Sequence, residues 1–349
     1  MRVLLLGPVV SENTSGGVAV YTEGVYQGFK SIGDDVEIIS IEKSKAIEND
    51  VVKVYKSKPS NILFNFGKIA KEIKKFKPDL VISSLQYSLG IKKYKKYYPN
   101  AKYIQVLHGF PCQINGVFKA KKINLAAKYS RKHFDYVITV SFLSYGINKK
   151  INQIPCDKII YNGCNFPVSL IKQKRIYDFV YIGRLFKDKE VEMIADAFAK
   201  AKKTNPNLKF AIAGYGELES LFLNGKHANS GITFLGQLTQ EEVKETLCKS
   251  RFFISMNPLE PFGIVFSEAL LCGCNIVTQS TSGCAPLYIK KDYFHIADCI
   301  NSIELCERLL EIEKKFYEIS NSDLEEISNY SSYKRVAQDF KALLKSKNN

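Results

Sequence analysis

Several patterns are missing from this 349-residue sequence, and each absence excludes a class of protein. No apolar run approaches the roughly 20 residues that cross a bilayer, so any membrane association is expected to be peripheral. The nine cysteines are odd in number and form no C-x-x-C pair, which indicates reduced thiols in a cytoplasmic protein rather than a disulfide framework. Zinc-finger spacings, RNP-like strands and low-complexity arms are also lacking, which argues against nucleic acid as a partner.

The size and composition indicate two ordinary globular domains. A chain of 39.5 kDa exceeds what one hydrophobic core usually serves. The 46% hydrophobic and 24% charged residues lie near the globular average, which excludes a disordered or fibrous protein.

The positive charge is concentrated in the first half of the chain. Residues 1–165 carry 26 Lys and Arg against 12 Asp and Glu, whereas residues 166–349 carry 24 against 23. Basic clusters in the first half include Lys71, Lys74, Lys75, Lys77, Lys92, Lys93, Lys95, Lys96, Lys119, Lys121 and Lys122. Such clusters either attract an anionic surface such as the inner face of a membrane or simply keep the protein soluble.

Apolar runs bounded by turn residues alternate with segments of helical period, which predicts parallel sheets covered by helices on both faces. The opening MRVLLLGPVV is interpreted as a buried first strand and not as a signal peptide. The predicted strands are Arg2–Leu6, Val36–Ile41, Asp79–Ser83, Lys102–Leu107, Asp135–Val140, Phe179–Ile182, Lys209–Ala213, Ile232–Leu235, Arg251–Ser255 and Asn275–Thr278. The predicted helices include Val18–Phe29, Ile62–Ile73, Glu190–Lys202, Glu241–Lys249, Gly263–Leu271 and Ile303–Ile319.

This rhythm predicts two doubly wound α/β domains, 1–164 and 165–332. The turn-rich segment Tyr161–Val168 is the best linker between them. Residues 333–349 contain an amphipathic segment, Tyr333–Leu344, expected to form a final helix that can pack on either domain, with a return to the N-terminal domain as the prediction. Two such sheets facing each other would form a ligand cleft at the carboxyl ends of their strands.

Two candidate groups in the first half follow predicted strands. Gly16 and Gly17 open a helix, where free N–H groups favour phosphate or carboxylate, although a tight turn explains two glycines equally well. His108 ends the run VLH, where it can hydrogen-bond a ligand or stabilise developing charge; the alternative is a turn histidine bonded to a backbone carbonyl.

The second half carries the stronger pattern. Arg184 and Lys189 follow a strand and can clamp a diphosphate, or else are simply solvated. Glu260 lies on a loop and Glu268 on the helix after it, suited respectively to sugar and ribose hydroxyls. The intervening turn, Phe262, Gly263 and Ile264, offers free N–H groups to a phosphate. Two carboxylates also suggest a hydrolase pair, but nothing in the sequence sets their separation.

The run from Glu260 to Glu268 is an E-x7-E motif and resembles that of family 4 of the retaining, nucleotide-sugar-dependent glycosyltransferases. The agreement extends over nearly the whole chain. It includes Gly16-Gly17-Val18, His108-Gly109, Asn162-Gly163, Gly183-Arg184-Leu185 with Lys189, Gly214-Tyr215-Gly216-Glu217 and Phe234-Leu235-Gly236.

The resemblance implies a GT-B fold, in which two Rossmann-like domains face across a cleft, with the acceptor on the first and the nucleotide sugar on the second. It implies that Arg184 and Lys189 hold the diphosphate, Glu268 the ribose, and Glu260, with backbone near Phe262 and Gly263, the sugar. His108 would lie beside that sugar, and the Gly16-Gly17 loop would approach the phosphates. The donor would be a UDP- or GDP-sugar and the acceptor a lipid-linked or polysaccharide-precursor hydroxyl.

No cofactor is expected, and the lack of any D-x-D sequence to hold a phosphate-bridging cation favours a metal-independent enzyme. Departures from the family pattern are Glu190 for a glycine, Tyr215 for an acidic residue, Asn165 for an aspartate, and Ser282-Gly283 for a glycine pair. A sugar-nucleotide epimerase or phosphorylase of the same fold and a non-catalytic anion- or nucleic-acid-binding protein remain alternatives.

Overall fold

The chain folds into two compact units. The computed structural model describes residues 1–11, 16–47, 52–54, 76–110, 117–168 and 173–345. The first unit comprises Met1–Asn165 together with Ser331–Asn349, and the second comprises Phe166–Tyr330. The predicted helix Ile62–Ile73 and the cluster Lys71, Lys74 and Lys75 lie outside the described residues.

The sheet of the first unit is parallel and has the strand order β3-β2-β1-β4-β5-β6-β7. Its strands are β1 (Arg2–Leu6), β2 (Asp35–Ser40), β3 (Val52–Val54), β4 (Leu80–Ser84), β5 (Lys102–Leu107), β6 (Tyr136–Thr139) and β7 (Lys158–Ile159). The chain moves outward from β1 to β3 and then returns to β4 on the other side of β1. The strand order therefore reverses between β1 and β4, the place where such sheets bind ligands.

The sheet of the second unit repeats this plan with the order β10-β9-β8-β11-β12-β13, again parallel. Its strands are β8 (Tyr177–Ile182), β9 (Phe210–Ala213), β10 (Ile232–Gly236), β11 (Ser250–Ser255), β12 (Asn275–Thr278) and β13 (Phe294–Ile296). Here the reversal lies between β8 and β11. The two strands that precede the candidate residues Arg184 and Glu260 are therefore neighbours in the sheet.

Helices cover both sheets. In chain order the α-helices are α1 (Gly17–Ser31), α2 (Ile91–Tyr97), α3 (Val117–Arg131), α4 (Phe142–Gly146), α5 (Val191–Thr204), α6 (Ser220–Leu223), α7 (Gln240–Cys248), α8 (Ile264–Leu271), α9 (Ala285–Tyr288), α10 (Ser302–Ile312), α11 (Asn321–Ser331) and α12 (Tyr333–Lys345). Two 3₁₀ turns, Leu85–Gly90 and Lys187–Lys189, and a π turn, Ile147–Ile151, are also present. Across the described ranges, no helix has the length and apolar character to cross a membrane.

The last helix, α12, belongs to the first unit and packs on α1. The ring of Tyr333 lies in a slot beside Gly24 and Gly163, where an added Cβ would come within 2.1 and 2.7 Å of that ring. At Gly28 an added Cβ would lie 2.1 Å from the Tyr333 carbonyl oxygen. Glycine at these positions allows the chain to approach α1 more closely than any larger residue would.

The core of the second unit is built around a stack of phenylalanines on β8 and its neighbours. Phe179 packs against Phe210 and Phe252 with ring centroids 5.6 and 5.0 Å apart, and Phe198 of α5 stacks on Phe210 at 4.1 Å. All four rings are buried. This packing holds β8 and β11 rigidly, and candidate residues of the second unit follow from their ends.

The strands predicted from apolar runs are present with small shifts at their ends, and the parallel doubly wound class is confirmed. Three short strands, β3, β7 and β13, escaped prediction because two or three residues carry too little periodicity. The predicted helix Ile303–Ile319 is wrong beyond Ile312. The chain leaves the helix there because Phe316 packs on Phe252 and the Tyr317 backbone bonds to the Asn275 side chain.

Candidate functional site

The carboxyl ends of β8 and β11 bring together residues far apart in the sequence. Arg184 lies two residues beyond β8, and the loop that carries Glu260 begins immediately after β11. The glycines after the neighbouring strands allow a close approach: an added Cβ at Gly214 would lie 1.8 Å from the Gly183 carbonyl oxygen. The sequence pattern at this edge thus reflects tight packing of the loops that surround the site.

Lys189 and Glu260 form a direct ion pair. The Lys189 ammonium donates to Glu260 Oε2 at 2.7 Å, and the two side chains are 17% and 16% exposed. An ammonium has three donors, so two remain for another anion. The structure thereby joins the residue expected at the diphosphate to the residue expected at the sugar, a contact that no sequence spacing revealed.

Glu190, which replaces the glycine usual in the pattern, adopts a left-handed backbone with φ +54°. A residue with a Cβ pays about 1–2 kcal/mol for that conformation. The strained residue directly follows Lys189 and precedes the first turn of α5. The left-handed turn that normally favours glycine is therefore kept here with a glutamate. It lies directly after Lys189, whose ammonium contacts Glu260.

The start of α8 lies close to Glu260. Gly263 caps the helix with φ +74°, and an added Cβ would lie 2.4 Å from the Phe266 ring and 3.2 Å from Glu260 Cγ. Phe262 is buried beneath the turn, and Ile264 begins the helix. The first amides of a helix have no partners within it, so this turn presents N–H groups beside the ion pair.

Glu268 lies on α8 just over one turn from the helix start and is buried, with 8% of its surface exposed. None of the other described residues donates a hydrogen bond to its carboxylate. Burial raises the pKa of Glu268 to about 7. A buried carboxyl without a partner is costly to ionise, which is expected where a ligand supplies the missing donors.

Arg184 stands apart from this cluster. Its guanidinium is half-exposed, lies 3.6 Å from Asp188 and covers the Phe186 ring at 5.1 Å. Its carbonyl oxygen accepts a hydrogen bond from the buried Tyr181 hydroxyl at 2.8 Å. The structure therefore fixes the Arg184 backbone at the sheet edge and leaves its side chain among solvated groups.

In the first unit, His108 follows β5 beside the end of β4. Its Nε2 lies 2.9 Å from the hydroxyl of Ser84, and the Tyr21 ring packs edge-on against it with centroids 4.6 Å apart. Burial lowers the pKa of His108 to about 3, so the ring is neutral near pH 7. The backbone-bonded turn histidine considered from the sequence is replaced by a ring held by a side chain.

Gly16 and Gly17 are exposed at the start of α1, with Gly16 as its cap. Added Cβ atoms there would meet nothing among the described residues within 4 Å. These two glycines and His108 belong to the first unit. All the other candidates belong to the second unit: Arg184, Lys189, Glu260, Phe262, Gly263, Ile264 and Glu268.

Sequence reasoning missed three side chains that form hydrogen bonds with the candidates in the described part of the chain: Ser84, Tyr181 and Asn257. The Asn257 amide donates to Glu260 Oε2 at 3.0 Å, and its carbonyl accepts from the Leu259 N–H at 3.1 Å. The Asn-Pro dipeptide at 257–258 is a turn signal that marks this arrangement. Ser84 and Tyr181 lie within apolar runs and carry no comparable signal.

Comparison with known proteins finds similar sequences for this chain. Residues 165–329 match the family model described as "Glycosyl transferases group 1". An uncharacterized glycosyltransferase of Methanocaldococcus jannaschii is 24% identical over 324 residues, which cover 89% of this chain and 88% of the relative.

Solved structures share the fold over almost the whole chain. The sucrose-phosphate synthase of Thermosynechococcus elongatus aligns with a TM-score of 0.78 at 15% identity, covering 99% of this chain and 98% of that one. The Anabaena protein HepE in complex with UDP and glucose aligns with a TM-score of 0.76 at 16% identity, covering 99% and 100%. The match to the glycosyl transferases group 1 model therefore lies in residues 165–329, within a chain that has the GT-B fold of two Rossmann-like domains.

Proposed function

We propose that this protein is a retaining glycosyltransferase of family 4 that transfers a sugar from a nucleoside diphosphate sugar to an acceptor hydroxyl without a metal ion. The observation that carries the proposal is the Lys189–Glu260 ion pair beside the open start of α8. Charge for a diphosphate, an acceptor for sugar hydroxyls and free amides meet there within one unit. The group 1 family match over the same residues supports this assignment.

The roles of the second-unit residues follow from their chemistry. Lys189 has two donors left for the diphosphate, and the Arg184 guanidinium adds a second cation after β8. The amides near Phe262, Gly263 and Ile264 bind the same oxygens. Such preorganised positive groups stabilise charge as it develops on the leaving diphosphate, and this removes the need for a bridging cation.

Glu260 and Glu268 are assigned to hydroxyl groups. The free oxygen of Glu260 accepts hydrogen bonds from the transferred sugar, and Glu268 accepts them from the ribose. The neighbour HepE is solved with UDP and glucose, which favours UDP among the UDP and GDP donors proposed here. In the first unit, His108 acts as a neutral hydrogen-bonding group and Gly16 and Gly17 form an anion-binding helix start.

Retention is proposed through attack from the face that the diphosphate leaves. The bond from C1 to the acceptor oxygen forms as the bond from C1 to the phosphate oxygen breaks, and the acceptor proton passes to the leaving diphosphate. No protein nucleophile is required in that scheme. The acceptor is proposed to be a lipid-linked or polysaccharide-precursor hydroxyl, bound by the first unit.

A thermal-shift screen against nucleoside diphosphates and their sugars tests the donor assignment. A ligand at 100 times its Kd stabilises the native state by about 2.7 kcal/mol, so a UDP- or GDP-sugar is expected to raise the Tm clearly, equally with and without chelator. Replacing Lys189 by Met is expected to weaken binding by about tenfold or more, because a charge-assisted hydrogen bond to phosphate is lost.

The matched control is Lys187→Met, which removes the same charge from an exposed side chain two residues away. Equal weakening by both variants would show only a general loss of positive charge. No shift with any nucleotide would contradict the proposal. Product analysis separates the alternatives, because an epimerase changes the nucleotide sugar without an acceptor and a phosphorylase requires free phosphate.

Association with an anionic membrane surface is also proposed, as a peripheral contact of a cytoplasmic enzyme. On α2, Ile91 and Tyr94 are buried while Lys92, Lys96 and the partly exposed Tyr97 lie on the outer side. Each lysine near an anionic surface contributes about 1 kcal/mol, and an exposed tyrosine suits the interface.

Flotation with anionic vesicles tests this contact. The variant Lys92→Glu/Lys96→Glu is expected to lower binding by about thirtyfold or more, since at least two favourable lysine contacts are lost. Lys314→Glu/Lys315→Glu makes the same charge change at exposed positions of the second unit and should bind like the wild type. Equal recovery of the wild type with neutral and anionic vesicles would remove the membrane contact and leave the transfer proposal intact.

A further inference from the structure

The carboxylate of Glu260 is held at several points. Its Oε2 accepts both the Lys189 ammonium, at 2.7 Å, and the Asn257 amide, at 3.0 Å. The backbone carbonyl oxygen of Glu260 accepts a hydrogen bond from the Gly283 N–H at 2.9 Å. This bond connects the loop after β11 to the loop after β12. A side chain restrained in this way has one orientation to offer a ligand.

Asn257 is suited to act on Glu260 and on nothing else in the site. Its side chain is 3% exposed, so it is not available to a ligand. Its two polar atoms have different tasks: Oδ1 closes the turn by accepting from the Leu259 N–H, and Nδ2 donates to Glu260. The amide therefore couples the shape of the loop to the direction of the carboxylate.

We infer that Asn257 is a positioning residue for sugar recognition: by binding Oε2 together with Lys189 it leaves Oε1 of Glu260 directed to the hydroxyls of the transferred sugar. This inference rests on the proposed function. It predicts that Asn257 affects the sugar part of the donor and not the nucleoside diphosphate, because Glu268 and the helix start hold the latter. Lys189, by contrast, affects both parts.

The variant Asn257→Asp tests the inference with little change in shape. The new side chain keeps the oxygen that closes the turn, but it places a second carboxylate beside Glu260 in place of a donor. A carboxylate at position 257 cannot donate to Glu260, so the hydrogen bond to Oε2 is lost and a like charge faces it. The defect is therefore expected in the recognition of the sugar and not in the shape of the loop.

Affinities for a nucleoside diphosphate and for the corresponding nucleotide sugar are measured by calorimetry. The Asn257→Asp variant is expected to lose about tenfold in affinity for the nucleotide sugar while binding the nucleoside diphosphate like the wild type. Asn257→Ala, which also lacks the donor to Glu260, should show the same selective loss.

The outcomes distinguish failure of the inference from failure of the proposed function. A wild type that binds no nucleoside diphosphate overturns both. A wild type that binds, with Asn257→Asp matching it for the nucleotide sugar, overturns the inference alone. An equal loss for both ligands in Asn257→Asp, with a lowered Tm, also overturns the inference, since that result describes a damaged loop.

Discussion

Replacing Glu268 by glutamine is expected to weaken nucleotide-sugar binding and to stabilise the unliganded protein at the same time. Ribose hydroxyls donate to a carboxylate more strongly than to an amide oxygen, so we expect a loss of about tenfold to a hundredfold in affinity at pH 8. The loss should shrink below pH 6, where the wild-type carboxyl is protonated, because its pKa is about 7. Calorimetric titration across this range measures it.

The contribution of Glu268 to the stability of the wild type has the opposite pH dependence to that of an ordinary salt-bridged carboxylate. Between pH 4.5 and about 7 the folded chain keeps a proton on Glu268 that the unfolded chain releases, so the stability of the wild type falls as the pH rises. The full cost at pH 8 is about 3 kcal/mol. Glutamine carries no charge, so the variant should avoid that cost in urea unfolding at pH 8 and show little gain at pH 4.5.

The control for this pair of effects is Glu325→Gln, which removes the same charge from an exposed position of α11. It should change neither nucleotide affinity nor stability by more than about 0.5 kcal/mol. If Glu268→Gln bound the nucleotide sugar as tightly as the wild type at pH 8, Glu268 would not hold the ribose.

Adding one methyl group at Gly28 is expected to destabilise the first unit by about 1–3 kcal/mol. Alanine normally favours a helix over glycine by about 1 kcal/mol. Here its Cβ would lie 2.1 Å from a backbone oxygen of Tyr333, which cannot move without undocking α12. Urea unfolding followed by a probe of the first unit measures the difference.

Two variants sharpen this test. Gly146→Ala lies in α4, where an added Cβ meets nothing within 4 Å, and should be neutral or stabilising. Gly24→Ala clashes with the Tyr333 ring and not with the backbone, so Tyr333→Ala should relieve its cost but not that of Gly28→Ala. Equal costs of Gly28→Ala in an otherwise intact chain and in one lacking residues 333–349 would contradict the proposed close approach.

Much of the fold could be predicted because its signals are local. Runs such as Arg2–Leu6, Lys102–Leu107 and Asn275–Thr278 predicted strands with the observed limits, and parallel strands place whatever follows them at one edge. That is why the sequence places the candidates His108, Arg184 and Glu260 after the ends of strands. The helix predicted to Ile319 failed because its periodicity continues past the residue where tertiary contacts of Phe316 end it.

The arrangement within the site could not be predicted, because it depends on contacts between residues that are far apart in the sequence. Lys189 and Glu260 are 71 positions apart, and only the packing of β8 against β11 makes them partners. The isolation of Arg184 from that pair depends on where Asp188 and Phe186 lie. The periodicity of Tyr333–Leu344 predicts an apolar helix face but does not identify the surface that covers it, so the packing on α1 could not be derived from the pattern alone.

The return of α12 to the first unit has a consequence for how the chain is made. A ribosome must complete the entire second unit before it delivers Tyr333 to the slot beside Gly24 and Gly163. Until then the nascent first unit exposes the surface of α1 that Tyr333 and Phe340 cover in the finished protein. This surface of α1 therefore stays exposed while about 165 further residues are translated, which takes roughly 10–30 s at typical elongation rates.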